Sequence, residues 1–155
     1  MINYDFLFGT VLAYIRDMWK INRSVGHLVI TSPLELRALW SNKDELTKAT
    51  NKTIDFLKGL GFKKGFYNWH FAGESERFYP HLHIVLPSGY MSSKRLNRIK
   101  AFFNDLWGIK VIYYGYLKDP DKLEYLVSCV LKANKLILES LQLEDLKDFR
   151  TWGFW

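Results

Sequence analysis

With 155 residues, 48% of them apolar, the chain is long enough for one domain, taken as 1–155, with a proper core. Its single cysteine, Cys129, excludes a disulfide framework and a cysteine zinc site, and no apolar run reaches the length of a membrane span. A net charge of +6 with 17% aromatic residues suits a nucleic-acid partner, through phosphate neutralisation and base stacking; a basic protein with a large core has the same composition.

Residues 3–20 carry Phe6, Leu7, Val11, Tyr14, Ile15 and Met18 at helical spacing, which predicts a helix. Asp5, Arg16 and Asp17 interrupt its apolar stretch, so it does not read as a signal peptide, and an intracellular setting without a membrane partner is expected. After a break at Asn22–Gly26, His27–Thr31 reads as a buried strand ended by Ser32-Pro33. Residues 34–60 read as helix with a break near Ser41-Asn42, and Gly59 and Gly61 close it. Strands are expected at 64–71 and 79–87. Ser92 or Ser93 caps a helix running to Trp107, where Gly108 ends it. Residues 109–116 read as a strand. Asp119 and Pro120 start a helix to about Lys135. A short helix at 141–149 precedes the tail Trp152-Gly153-Phe154-Trp155. From residue 27 the order is β-α-β-β-α-β-α. This is an α+β, ferredoxin-like split β-α-β pattern, with an antiparallel sheet and helices on one face, plus an N-terminal and a short C-terminal helix.

Three of the four histidines fall within 14 positions. His81 and His83 alternate in an apolar strand, so both imidazoles project from one face. If 64–71 and 79–87 form a hairpin, pairing about its midpoint sets His70 opposite His81. Three neutral imidazoles on one face are a divalent-metal site; two buried or stacked sheet histidines are the bland alternative. His27 reads as a satisfied sheet histidine. Glu74 and Glu76 read as loop carboxylates that could reach the ion. Imidazole-only ligation suits zinc, nickel or copper.

Pro80-His81-Leu82-His83 resembles the HUH motif, histidine–bulky apolar–histidine. That motif marks the endonucleases of rolling-circle replication, single-strand transposition and conjugative transfer. Gly26-His27-Leu28-Val29-Ile30-Thr31-Ser32-Pro33-Leu34-Glu35-Leu36-Arg37 is similar to the first-strand motif, most of all in two-tyrosine transposases of insertion sequences. Trp69-His70-Phe71 resembles their third metal ligand, and Glu124–Lys132 their tyrosine-bearing helix. The resemblance covers about residues 24–135. The chain lacks the cysteine-rich zinc module of the transposases and is closer in size to a minimal replication initiator. It also places Cys129 where the second tyrosine of Tyr-x-x-x-Tyr-x-x-Lys would stand, with Tyr125 at the first and Lys132 at the lysine.

The resemblance implies a single-stranded DNA endonuclease and transesterase of a plasmid, virus or mobile element, at work in a host cytoplasm. A manganese or magnesium ion on His70, His81 and His83 would polarise the scissile phosphate. A tyrosine would attack phosphorus, leaving a 5′-phosphotyrosyl link. Tyr125, Cys129 and Lys132 share one helical stripe at i, i+4 and i+7. Tyr125 is the favoured nucleophile and Lys132 its phosphate partner; Tyr113, Tyr114, Tyr116 and Cys129 are the alternatives, as is a core role for Tyr125 and a solvated one for Lys132. Lys63, Lys64, Arg77, Lys94 and Arg95 are candidate contacts to single-stranded DNA, although Lys94 and Arg95 also read as a solvated helix face. A homodimer is one candidate assembly. The competing functions are a nucleic-acid-binding module that has lost its nucleophile and a different phosphoesterase. A histidine-triad hydrolase would need a histidine where Val85 stands.

Overall fold

The computed structural model describes residues 4–72, 78–132 and 151–153. The elements in order are α1 (Tyr4–Asn22), β1 (Val25–Thr31), α2 (Leu34–Arg37), α3 (Lys43–Gly59), β2 (Gly65–Ala72), β3 (Phe78–Leu86), α4 (Ser93–Trp107), β4 (Ile112–Leu117), α5 (Leu123–Leu131) and β5 (Thr151–Trp152). All strand pairings are antiparallel and the sheet order is β4-β1-β3-β2-β5. The first four strands follow the expected split β-α-β arrangement. Among the described residues no helix is long and apolar enough to cross a membrane.

Local signals set most boundaries. The break near Ser41-Asn42 is present: a 3₁₀ turn at Leu39–Ser41 precedes α3, and the Asn42 side chain accepts from the amides of Asp44 and Glu45. Ser92 caps α4 by accepting from Arg95 N–H, and Asp119 caps the turn before α5. Strand β4 starts at Ile112, three residues later than the sequence suggests. Gly108 closes α4 in a left-handed conformation, and Ile109 N–H reaches back to Phe103 C=O, so that segment finishes the helix and buries Ile109. The expected helix end at Lys135 and the short helix at 141–149 lie outside the described residues, as do Glu74, Glu76 and Arg77.

The two sheet faces have different cover. Leu28, Ile30, Trp69, Leu82, Ile84 and Leu86 pack with α3 and α4 residues such as Leu57, Ile99 and Phe103. On the other face Val25, Phe66 and Val85 pack with Leu7, Val11 and Ile15 of α1 and with Val127 and Val130 of α5. That second face was expected to be open. Its apolar end instead requires the buried stripes of α1 and α5 as a lid. The tail returns as β5 beside β2, where the Trp152 ring lies over Gly65, a place a Cβ would fill.

Candidate metal centre

Register brings the histidines together. His70 pairs with His81 across β2–β3, as the hairpin argument requires, and His83 follows two residues on along the same face. Their imidazoles each offer one ligand atom, and these atoms lie within 4.8 Å of one another. The rings of His70 and His83 stack with centroids 3.9 Å apart. The expected three-histidine cluster is therefore present and could hold a metal ion.

Each ligand has an anchor. His70 Nε2 lies 2.7 Å from the carbonyl of Val130, which also accepts from Asn68 Nδ2 at 2.8 Å. A carbonyl only accepts, so Nε2 of His70 carries the proton and Nδ1 holds the lone pair. Val130 is in the last turn of α5, where helix carbonyls have no partner within the helix. Two buried side chains of β2 thus satisfy the helix end and fix it against the histidine strands.

His83 Nδ1 lies 2.9 Å from His27 Nε2, and its own Nε2 is shielded from solvent with no hydrogen-bond partner. A buried nitrogen left without a partner is costly, and a metal ion is one occupant that removes the cost. His27 occupies Nδ1, so Nε2 is the His83 nitrogen left for a metal, and the tautomer with Nδ1–H donated to His27 is the one that puts the lone pair there. Burial, then the neighbouring His70, His27 and His81, push the His83 pKa down to about 2. Burial and His70 lower that of His27 to about 4. Both rings are neutral at neutral pH, the form that ligates metals.

His27 is the residue that sequence reading undervalued. It sits opposite Val85 in the β1–β3 register, diagonal to His83. The 4-1-3-2 strand order was the available signal, because it places β1 beside the strand that carries His83. Tyr113 extends the cluster. Its exposed ring meets His27 edge-on at 6.2 Å and folds over Gly115, where a side chain would collide with its hydroxyl.

Helix α5 lies on the histidine face of the sheet. Its buried residues are Leu123, Leu126, Val127, Val130 and Leu131, so the stripe of Tyr125, Cys129 and Lys132 points away from the core. Tyr125 is 71% exposed, which removes the reading of a core aromatic. A hydrogen bond to Cys129 and the charge interaction with it raise the Tyr125 pKa. Lys132 is exposed at the end of the helix.

The basic candidates are dispersed. Lys64 precedes β2, six residues and roughly 20 Å of extended chain from His70. Lys63 is beside it, and both are at the opposite end of the sheet from His70. Lys94 and Arg95 open α4, a helix packed on the other face. Arg95 donates to Leu60 C=O and stacks over Phe62, a structural engagement.

No model of a known protein family matches the chain, and no curated protein or solved structure matches it.

Proposed function

We propose that this protein is a metal-dependent single-stranded DNA endonuclease of the HUH type, cutting and rejoining one strand through a tyrosine–DNA link. The observation that carries the reading is the convergence of His70, His81 and His83 on one sheet face, with His83 Nε2 buried and unpartnered. The order histidine–leucine–histidine in a strand of a split β-α-β sheet is the arrangement the resemblance requires.

The three histidines would hold the ion, which when bound would supply Lewis-acid polarisation of a phosphate oxygen. Manganese or magnesium is the working ion implied by the resemblance, and the imidazole set also accepts zinc or nickel. His27 and Val130 C=O orient His83 and His70 before any ion arrives. The Tyr125 oxygen attacks phosphorus, the bond from phosphorus to the 3′-oxygen breaks, and a 5′-phosphotyrosine forms. The tyrosine proton passes to solvent and the leaving 3′-oxygen takes one up. At neutral pH the hydroxyl is protonated, as any phenol is, and Cys129 raises its pKa further. Lys132, two turns along the same helix, offers positive charge to the phosphate.

A second reading is a nucleic-acid-binding protein without nicking activity. The cysteine at the second tyrosine position and the raised pKa of Tyr125 favour it. Incubation with a labelled random single-stranded oligonucleotide pool and manganese separates the two. The first reading gives a protein-linked label on a denaturing gel that is lost with chelator. Retention of the pool without any covalent product supports the second.

A further inference from the structure

We propose that a cleft at the end of β1, where Thr31 pairs with His81, seats one nucleotide of the bound strand near the phosphate that is cut. The proposal rests on the single-strand reading above and names a subsite for it. The cleft has a volume of about 560 Å³, and its lining includes Thr31, Ser32, Glu35, Arg37, Trp107 and Lys110. That volume lies in the range of small-ligand sites.

Position ties the cleft to the candidate metal centre. Thr31 pairs with His81 across β1–β3 on the same sheet face, one strand spacing of about 5 Å away. Ser32 N–H donates to the carbonyl of Pro80, the residue before His81, at 3.1 Å. The floor of the cleft is thus fastened to the strand that carries two of the three histidines.

Its chemistry fits a nucleotide. Arg37 and Lys110 bring two cations from α2 and from the segment before β4, matched to a phosphodiester. Trp107 is stacked on Phe103 and meets Trp40 edge-on, and the half-buried ring still borders the cleft, where it gives a base an aromatic edge to lie against. The Ser32 hydroxyl oxygen is shielded from solvent and has no hydrogen-bond partner, a second orphaned polar atom close to the histidine strand. Glu35 is the opposing charge and weakens the seat for an anion. Lys63 and Lys64, first suggested by the sequence, lie before β2 at the far end of the sheet, and Lys94 lies at the start of α4, about 20 Å along that helix from Trp107 at the cleft.

The test is fluorescence anisotropy with labelled oligothymidylate in chelator, across a salt series. It uses the parent, Lys110→Glu, Glu35→Gln and, as a charge-matched control on exposed α3, Lys52→Glu. Lys110→Glu is expected to weaken binding at least about tenfold and to flatten the salt slope by about one ion. Glu35→Gln tightens binding, and Lys52→Glu changes it less than about twofold. Equal loss in Lys110→Glu and Lys52→Glu, with the parent binding well, overturns the cleft and leaves the single-strand reading standing. A parent that does not bind single strands overturns both.

Discussion

His27 Nε2 and His83 Nδ1 stand 2.9 Å apart, on neighbouring strands of the sheet. The contact decides which nitrogen of His83 is left for a metal, so His27 acts through His83 as a positioning residue. His27→Leu is expected to lower divalent-ion affinity by about 10- to 100-fold, the usual effect of removing such a partner. His27→Gln keeps a polar group in reach and restores part of it. Isothermal titration with zinc or manganese reads the affinities, and a thermal melt shows that both variants fold. Unchanged affinity in His27→Leu would remove this role.

The same burial predicts an acid sensitivity. His83 and His27 have folded pKa values of about 2 and about 4, below the ordinary 6.5. As pH falls below 6.5 the unfolded chain takes up protons that the folded, metal-free chain refuses, so stability falls with pH. The loss continues to about pH 4 for His27 and further for His83. Urea melts of the metal-free protein between pH 7.5 and 4.5 measure it. A midpoint that does not fall, or that rises, contradicts the assigned burial of these rings.

Asn68 is fully buried and donates to the Val130 carbonyl at the end of α5. Asn68→Ala leaves that carbonyl with one partner fewer and is expected to cost about 1–3 kcal/mol of stability. Because the bond holds the helix that bears Tyr125, strand cleavage should fall as well. Denaturant melts and a cleavage assay check both effects. A variant as stable as the parent would show that this anchor carries no weight.

Much of this arrangement was legible in the sequence because it depends on period-two alternation. His81-Leu82-His83 could not place its imidazoles on opposite faces, and a hairpin centred between the two strands made His70 the partner of His81. Caps at Asn42, Ser92 and Asp119 were legible from residue chemistry. The cover over the histidine face was not. Whether α1 and α5 lie on that face depends on how Val25, Phe66 and Val85 find neighbours, which is a tertiary matter. The role of His27 needed the β1–β3 register. Strand β5 escaped notice because two residues, Thr151 and Trp152, carry no periodic signal.

The nucleophile is separable by two conservative changes. Tyr125 is exposed, so Tyr125→Phe removes a hydroxyl without disturbing the core and should eliminate covalent DNA attachment with little change in melting temperature. Cys129→Ser should leave attachment largely intact. Denaturing gels with labelled single-stranded DNA and manganese read the adduct. Attachment that survives in Tyr125→Phe and is lost in Cys129→Ser, or persists in both, moves the attack to another residue, with Tyr113 beside His27 the first to test.

The three-histidine ion site underlies all of the proposed chemistry, and equilibrium metal binding tests it most directly. Titration of the purified chain with manganese, and separately with zinc, at neutral pH should give one ion per chain. His81→Ala and His83→Ala should each lose at least about a hundredfold in affinity while remaining folded, as expected when one of three ligands is removed. Failure of both metals to bind, or binding that neither substitution weakens, would contradict the account.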